Sequence, residues 1–385
     1  MNQQFIQSKR TWTEIDLNAL SYNYAQIEAF ITPSTKLCCV VKANAYGHGA
    51  VELAKQFSTL GADWFAVSNI DEALQLREAG IKEPILILGY TPAASVKLLA
   101  VHHISQCVYS FEYAEVLSKA SVVEDCEIAI HIKFDTGMGR IGFRCHKDEH
   151  DELEKALNAC KLPGLKPEGV FMHFAVADKS KNGKEFTRLQ YDRFHAGVKY
   201  LERNGFAFLL RHCCNSAAIF EYPEYHLDMV RAGIVLYGLS PSSEVRHLPD
   251  LRPVMTLKSM VSNIKMVYPS DTISYGRTFT ANCEMRIATV PIGYADGFWR
   301  SNSRTRYSLS INGRGAPVIG RVCMDQLMVD VSDIYCSLGD EVIVFGDQPG
   351  HRAEDLAMLN NTINYEIVCA VGERVPRVFV MNKGV

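Results

Sequence analysis

The sequence predicts an α/β protein of two domains, an N-terminal (β/α)8 barrel of the TIM type and a C-terminal, mainly β domain. Eight short apolar runs alternate with helical patterns over the first part of the chain, as in such a barrel. Most of these runs are continuously apolar, which is typical of parallel strands buried on both faces. Beyond residue 250 the pattern changes to short strands separated by Gly, Asp and Asn turns.

The first predicted element is a helix, NALSYNYAQIEAFI, which precedes the barrel strands. The eight predicted strands are KLCCVVKA (36–43), DWFAVSN (63–69), PILILGY (84–90), ISQCVYS (104–110), CEIAIHIKFD (126–135), PEGVFMHFA (167–175), FAFLLRHCC (206–214) and LDMVRAGIVLYG (227–238). Helical patterns such as VELAKQFSTLG and DELEKALNACK separate them. An open doubly wound sheet is the alternative fold, and the count of eight strands favours the barrel.

The predicted domain boundary lies between residues 249 and 250. The barrel domain spans residues 1–249, of which residues 1–10 could pack on the other domain, and the β domain spans residues 250–385. Strand patterns in the second domain include MRIATVPI, QLMVDVSDI and DEVIVFG. No low-complexity linker lies between the two parts, so we expect the domains to pack together.

The overall composition argues against several classes of partner. The formal net charge is -3 at pH 7 and no run of like charge occurs, so binding to nucleic acid or an acidic membrane has no electrostatic support. The N-terminus lacks the apolar segment of a signal peptide, and no apolar stretch is long enough to span a bilayer. The twelve cysteines include no CxxC pair, which predicts buried thiols in a cytoplasmic protein.

The segment VVKANAYGHGA (40–50) is the strongest local signal of a reactive site. Lys42 ends an apolar strand, and a Gly-rich loop that contains Tyr46 follows it. Burial at a strand end lowers the pKa of a lysine because desolvation penalises the ammonium form. A neutral amine is what Schiff-base chemistry requires. The alternative is a lysine whose ammonium group merely reaches solvent at the barrel mouth, and the complete string favours the reactive site.

A second segment, KFDTGMGRIGF (133–143), contains a misleading glycine pattern. Gly137, Gly139 and Gly142 form a GxGxxG string after a strand. A dinucleotide site would require a helix to open directly after it, in a βαβ unit that also carries a ribose-binding acid. Here the next helical pattern begins only near Asp148, so we do not predict a nicotinamide site. Arg140, a fixed cation beside this strand end, is the more informative residue.

Later barrel strands also end in polar side chains or in segments that could offer backbone N–H donors. His173 follows the sixth strand, Asn215 and Ser216 follow the seventh, and Arg231, Gly233 and Ile234 lie on or after the eighth. Catalytic groups of (β/α)8 enzymes lie at the carboxyl ends of the strands, and the loops after strands seven and eight often bind phosphate. Each residue alone could be explained by packing, but polar groups at several strand ends together predict an active site.

Candidate residues in the second domain are less distinctive. Tyr275 lies beside Gly276 in ISYGRTF, and Met324 lies in the polar loop of GRVCMDQLMVD. Ordinary hairpin turns would explain both segments equally well. Tyr365 lies on a helical pattern, where a buried aromatic is the alternative. His146 and His150 stand four residues apart among charged residues, which does not predict a metal site.

Taken together, these motifs resemble those of the alanine racemases, the bacterial fold-type III pyridoxal-phosphate enzymes. The resemblance extends from TWTEIDLNAL to GERVPRVF, nearly the whole chain. The motifs that carry it are VVKANAYGHG, DTGMGRIGF, NSAA, RAGIVLYG, SYGRTF, PIGYADG, VCMDQ and INYEI.

The resemblance implies roles for the matched residues. Lys42 would hold pyridoxal 5'-phosphate as a Schiff base and act as one catalytic base, and Tyr275 of a partner subunit would act as the other. The residues that would bind the cofactor phosphate are Tyr46, Ser216, Gly233, Ile234 and Tyr365. The other cofactor contacts would be Arg140, His173, Asn215 and Arg231.

Several of these roles are more specific. Arg231 would face the pyridine nitrogen, and Arg140 would contact the phenolic oxygen of the cofactor and the substrate carboxylate. Met324, also from the partner subunit, would bind that carboxylate through its backbone N–H. His173 would link Arg231 to the tyrosine base. Lys133 matches a position that is carbamylated in some members of the family.

The function implied by the resemblance is interconversion of L-alanine and D-alanine, which supplies D-alanine for peptidoglycan. It implies a head-to-tail homodimer and no metal, nucleic-acid or membrane partner. A serine or broad-specificity racemase is the nearest alternative. A pyridoxal-phosphate homeostasis protein would be a single barrel, and a fold-type III decarboxylase would carry a carboxylate where this chain has Arg231.

Overall fold

A computed structural model describes residues 10–146, 150–179, 183–305 and 307–381. The first ten strands are β1 (Thr11–Asp16), β2 (Lys36–Val40), β3 (Trp64–Val67), β4 (Ile85–Ile87), β5 (Ile104–Val108), β6 (Ile128–Asp135), β7 (Phe143–Arg144), β8 (Leu165–Phe171), β9 (Leu210–His212) and β10 (Met229–Ala232). Eight of them pair in parallel in the order β10-β2-β3-β4-β5-β6-β8-β9. Each overlaps a predicted strand, so the eight-stranded barrel is confirmed.

Backbone hydrogen bonds also link the two strands at the ends of this order. Asp228 N donates to Arg211 O over 3.1 Å, and Arg231 N donates to Cys214 O over 3.0 Å. These bonds run between β9 and β10 and bring the sheet round on itself. Closure removes the exposed edges that an open sheet would have.

Ten right-handed α-helices accompany the strands in the described residues. They are α1 (Leu17–Phe30), α2 (Ala50–Leu60), α3 (Ile70–Glu78), α4 (Val96–Val101), α5 (Phe111–Val123), α6 (His150–Cys160), α7 (Lys184–Arg203), α8 (Ser216–Glu221), α9 (Ala353–Leu359) and α10 (Asn364–Cys369). Helix α1 precedes the barrel and has Asp16 as its N-cap, whose carboxylate accepts from the backbone N–H groups of Asn18 and Ala19. Helices α2–α8 connect successive barrel strands. None of the helices in the described parts of the chain combines the length and apolar character needed to cross a bilayer.

The second domain is built on a nine-stranded sheet. Its strands and the short hairpin beside it are β11 (Met255–Met260), β12 (Asn263–Val267), β13 (Thr272–Ile273), β14 (Phe279–Thr280), β15 (Met285–Val290), β16 (Ser308–Ile311), β17 (Arg314–Ile319), β18 (Leu327–Asp330), β19 (Glu341–Phe345) and β20 (Arg377–Val380). The sheet order is β12-β15-β18-β17-β16-β19-β11-β1-β20, and β13 pairs with β14. The predicted mainly β domain is therefore confirmed.

Strand β1 crosses from one domain to the other. It lies within residues 1–249 of the sequence, yet it pairs antiparallel with β11 and parallel with β20. Arg10 continues this contact, since its Nη2 donates to Asp296 of the second domain over 2.7 Å. The sequence suggested that residues 1–10 could pack on the second domain. Of these, residues 1–9 lie outside the described residues.

The two domains share one continuous apolar core. Buried side chains from the barrel, such as Phe65 and Tyr237, and from the second domain, such as Leu309 and Val344, belong to the same cluster. Polar contacts also join the domains, and Arg377 Nε donates to Gly47 O over 2.9 Å. The second domain is thereby fixed against the loop that follows Lys42.

Candidate active site

Lys42 follows β2 and is the first residue of a left-handed helical turn. Ala43, Asn44, Ala45 and Tyr46 all have positive φ, between 52° and 54°. For residues other than glycine, this left-handed conformation costs roughly 1–2 kcal/mol each. Such strain persists only where surrounding structure enforces it, and it concentrates at functional sites. The turn therefore marks the neighbourhood of Lys42 as a built site.

Glu72, at the start of helix α3, holds this turn from outside. Its Oε1 accepts from Ala43 N and its Oε2 accepts from Ser68 N, each over 2.7 Å. One carboxylate thus fixes the residue after Lys42 to the end of the next strand. Glu72 has no distinctive signal in the sequence, because an acid in a first helical turn is explained by the helix dipole alone.

His48 holds the same turn from inside. Its Nδ1 lies 3.0 Å from both Ala45 O and Tyr46 O, and its ring stacks on Tyr237 at 4.6 Å. Burial lowers the pKa of His48 to about 4, with the hydrogen bonds to the two carbonyls opposing that effect. The ring is neutral at physiological pH, and its Nδ1–H donates to the turn.

The carboxyl end of the barrel gathers cations. Burial lowers the pKa of Lys42, and the nearby charge of Arg140 lowers it further, while Glu72 acts in the opposite direction. Lys133, on β6, is also buried, and burial lowers its pKa to about 8. The Nζ of Lys133 stands 5.5 Å from the ring centroid of Phe171. Burial therefore favours the neutral form of the two lysines, while the charge of the nearby arginines attracts an anionic ligand.

Arg231 is a buried guanidinium on β10 that bonds to neutral acceptors. Its Nη1 donates to His212 Nδ1 over 2.7 Å, and its Nη2 donates to Met172 O over 2.7 Å. The same Nη2 lies 3.4 Å from His173 Nδ1. Burial and the positive charge of Arg231 both depress the pKa of His173 far below its usual value. Arg231 and His173 thus lie within hydrogen-bonding distance of each other.

A second cluster forms where β9 and β10 end. Ser216 Oγ accepts from Gly233 N over 2.9 Å. A Cβ on Gly233 would lie 2.7 Å from Tyr46 Oη, so only glycine fits between these groups. The rings of Tyr46 and Tyr365 stand 5.9 Å apart. Ser216 and Tyr46 of the barrel therefore lie beside Gly233, and Tyr365 of the second domain packs against Tyr46.

Ile234 and Asn215 are the two remaining predicted cofactor contacts at this cluster. Ile234 begins a 3-10 turn over Ile234–Tyr237 and is fully buried. Asn215 is the N-cap of helix α8, where its Oδ1 accepts from Ala218 N over 3.0 Å. That capping bond fixes the side chain of Asn215 at the start of helix α8.

The structure does not bury Tyr275 and Met324 in the barrel. Tyr275 is 70% exposed and Met324 is 52% exposed on the second domain. The loop around Met324 is ordered by hydrogen bonds, because Met324 O accepts from Ala295 N over 3.1 Å. Both side chains therefore face outward on a well-defined surface.

The glycine-rich segment after β6 is a loop, not the start of a helix. Asp135 Oδ1 accepts from Gly137 N over 2.9 Å and from Gly139 N over 3.0 Å. Strand β7 follows the segment directly. Within these described residues, the segment does not form the helix N-terminus that binds a dinucleotide pyrophosphate. Arg140 is exposed on the loop.

Comparison with known proteins assigns the family. Residues 15–241 match the model of the alanine racemase N-terminal domain, and residues 254–379 match that of the C-terminal domain. The chain belongs to the alanine racemase family. The first of these alanine racemase domains contains Lys42 and Arg231, and the second contains Tyr275 and Met324.

Individual alanine racemases are similar over their full length. That of Desulfovibrio desulfuricans is 46% identical over 374 residues, which are 96% of this chain and 98% of that protein. Alanine racemase 1 of Clostridium acetobutylicum is 44% identical over 96% of this chain and 95% of its own length. A solved alanine racemase structure from Clostridium difficile 630 superimposes with a TM-score of 0.92 at 40% identity, covering 98% of this chain and 97% of that one.

Proposed function

We propose that this chain interconverts L-alanine and D-alanine with pyridoxal 5'-phosphate bound at Lys42, in the cytoplasm, and so supplies D-alanine for peptidoglycan. Membership of the alanine racemase family supports the reaction. The observation that carries the assignment is a half-buried lysine of lowered pKa among cations and hydroxyl donors at the barrel mouth. No disulfide joins any of the twelve cysteines, all of which are in described residues, in keeping with a reducing compartment.

The residues present fit pyridoxal phosphate. The cofactor carries an aldehyde, a phosphate dianion and a pyridine ring, and each has a matching group in the site. Lys42 offers an amine, and Ser216, Tyr46 and the backbone at Gly233 offer a compact polar cradle that a Cβ would fill. Arg231 offers a donor for the ring nitrogen, and the second domain closes the cradle with Tyr365. When bound, the cofactor supplies an electron-withdrawing ring that acidifies the α-hydrogen of the amino acid.

Racemisation requires a proton to leave one face of the α-carbon and return on the other. Two bases on opposite faces meet this requirement, and Lys42 and Tyr275 are groups of suitable chemistry. Lys42 would exchange the proton of the D-enantiomer and Tyr275 that of the L-enantiomer. A tyrosine hydroxyl is a weak base, and His173, bonded to Arg231, would tune it.

Arg231 would set the outcome of the reaction. An arginine can only donate a hydrogen bond and is effectively never deprotonated, so it would leave the ring nitrogen unprotonated. That weakens the ring as an electron sink and disfavours transamination as a side reaction. Arg140 and the backbone N–H of Met324 would orient the substrate carboxylate.

The exposure of Tyr275 and Met324 supports a head-to-tail homodimer with two shared sites. Each site would combine Lys42 of one copy with Tyr275 of the partner subunit. We expect inactive Lys42→Ala and inactive Tyr275→Ala chains, mixed in equal amounts, to recover about a quarter of wild-type activity, since half of the dimers are hybrids with one intact site. Racemase activity would be measured on L- and D-alanine and on L- and D-serine, which also separates an alanine from a broad-specificity enzyme.

The matched control replaces the Tyr275→Ala chain with a chain that carries both substitutions. No hybrid of this control contains Lys42, so it must stay inactive. If the first mixture also stays inactive although subunits exchange, the shared-site model is wrong. Absence of a visible absorption band after wild-type protein is loaded with pyridoxal phosphate would refute the cofactor assignment.

A further inference from the structure

A row of hydrogen-bonded side chains crosses the interior of the barrel from Arg231 to the opposite end. Arg231 Nη1 donates to His212 Nδ1 over 2.7 Å, and His212 Nε2 lies 2.9 Å from His131 Nδ1. His131 Nε2 lies 3.4 Å from Glu168 Oε2, which also accepts from Ser105 Oγ over 2.8 Å. We call these five residues the barrel network.

The chemistry of arginine fixes the direction of each hydrogen bond in the row from Arg231 to Glu168. An arginine can only donate, so His212 Nδ1 must accept. Burial lowers the pKa of both His212 and His131, which are therefore neutral. Neutral His212 then carries its proton on Nε2 and donates to His131, and His131 carries its proton on Nε2 and donates to Glu168. All donors point from the guanidinium towards the carboxylate.

The barrel around the network is shaped to hold it. His131 and His212 are fully buried, where TIM barrels ordinarily place branched aliphatic side chains. A Cβ on Gly169 would lie 2.4 Å from His131 Nδ1, so a larger residue there would displace the ring. Phe171 stacks on His212 with ring centroids 4.8 Å apart and planes 3° apart. Buried imidazoles are costly unless hydrogen-bonded, and each of the four ring nitrogens of His131 and His212 has a partner in the row.

Arg231 is a buried cation with no carboxylate among its described hydrogen-bond partners. The described acceptors around its guanidinium are imidazoles and backbone carbonyls, none of them a carboxylate. A buried cation without a counter-charge is expensive. Glu168 lies at the far end of the row, and hydrogen bonds in such a chain polarise one another.

We propose that Glu168, His131 and His212 are positioning residues for Arg231, fixing its orientation and balancing its charge from the far end of the barrel. A carboxylate in direct contact would compete with the ligand for the guanidinium, whereas one at the end of the network would not. The role of Arg231 at the ring nitrogen rests on the proposed function, but the order of the hydrogen bonds does not.

The acidic end of the network opens to solvent. Glu168 borders a cleft of about 360 Å³ at the amino end of the barrel strands. Charged and titratable groups around this cleft are Arg77, Lys82, His103, Glu127 and Lys166. The hydrogen bond from His131 holds the pKa of Glu168 below its usual range. Its charge is therefore present at neutral pH and is lost as the pH falls through that lowered value.

The first test replaces Glu168 with Gln, which keeps the shape and removes the charge. Glu127→Gln is the matched control, because Glu127 borders the same cleft, is exposed and lies outside the network. Ser105→Ala is a milder variant that removes one bond to Glu168 and keeps its charge. For Glu168→Gln we expect kcat to fall about tenfold with KM nearly unchanged, and the pH titration of the visible band of the bound cofactor to shift. Ser105→Ala should show a smaller change of the same kind, and Glu127→Gln should match the wild type.

The second test does not depend on the cofactor. In protein without pyridoxal phosphate, 15N spectra of labelled histidine imidazoles should show His131 and His212 protonated on Nε2 and bare on Nδ1. A proton on Nδ1 of either ring would overturn the proposal. So would a Glu168→Gln enzyme that is less heat-stable but has an unchanged absorbance titration and kcat, because the role of Glu168 would then be structural only. A wild type that neither binds pyridoxal phosphate nor racemises alanine would instead refute the proposed function.

Discussion

The clamp that Glu72 places on the turn after Lys42 gives the sharpest prediction. Its carboxylate accepts from Ala43 N and Ser68 N, both over 2.7 Å. In Glu72→Gln the single amide oxygen can accept from only one of them, and the amide NH2 then faces the other N–H. The turn loses one hydrogen bond to a charged group, and one backbone N–H then faces another donor. Together these changes destabilise the turn by about 2 kcal/mol.

That cost acts on a turn that is already strained. Four consecutive left-handed residues carry a penalty of roughly 1–2 kcal/mol each, so the turn relaxes where its restraints weaken. If the lost 2 kcal/mol appears as a smaller population of the competent turn, activity falls by up to roughly thirtyfold. We expect kcat/KM for alanine in Glu72→Gln to be between about five- and thirtyfold below wild type, with a reduced rate of cofactor attachment at Lys42.

Asp71→Asn is the matched control for this experiment. Asp71 and Glu72 both lie in the first turn of helix α3, so removing either charge perturbs the helix dipole equally. Asp71 is exposed, and its substitution should leave kcat/KM within about twofold of wild type. Equal loss of activity in both variants, or none in Glu72→Gln, would show that Glu72 does not hold the turn.

Three further predictions address the cofactor site. Gly233→Ala should weaken pyridoxal phosphate binding at least about tenfold in a fluorescence titration, because its Cβ would lie 2.7 Å from Tyr46 Oη; unchanged affinity would contradict the phosphate cradle. Arg231→Glu should raise the share of transamination among turnovers, measured by loss of the visible cofactor band, and an unchanged partition would refute the role of the arginine. Lys133→Met should raise the melting temperature of cofactor-free, CO2-free protein at pH 6–7. Burial lowers the folded-state pKa of Lys133 to about 8, so the penalty is present below that value and disappears as pH rises towards the unfolded value of roughly 10.4. A difference that did not shrink on this rise would contradict it.

The sequence was sufficient for the barrel because its signal is local. Each parallel strand is buried on both faces and appears as a short apolar run, whichever strands lie beside it. Strand β1 shows the limit of this reasoning. Its neighbours in the sheet, β11 and β20, begin hundreds of residues later, and nothing in the six residues Thr11–Asp16 names them. A single domain boundary after residue 249 assigns β1 to the barrel domain, although β1 pairs with strands of the second domain.

Sequence motifs could nominate individual residues for the site, but they could not indicate roles that depend on contacts between distant parts of the chain. Lys42 and Arg231 stand in strings that the family resemblance covers. Glu72, His131 and His212 act through hydrogen bonds to groups far away in the sequence. Each has an ordinary explanation in sequence, such as a helix-dipole acid or a core histidine. Only the register of the barrel strands brings His131 and His212 to within 2.9 Å.

The two proposed bases share a structural feature that neither motif reveals. Lys42 precedes four left-handed residues, and Tyr275 stands between Ser274 at φ 68° and Gly276 at φ 71°. Both turns are held by hydrogen bonds to other segments: Glu72 holds the first, and Ser274 Oγ donates to Arg321 O over 2.6 Å at the second. Strained turns held in this way keep a side chain in one place before the ligand arrives, which lowers the cost of ordering it during reaction. One turn lies at the barrel mouth and the other faces outward, so in the proposed dimer each shared site would combine one preorganised turn from each copy of the chain.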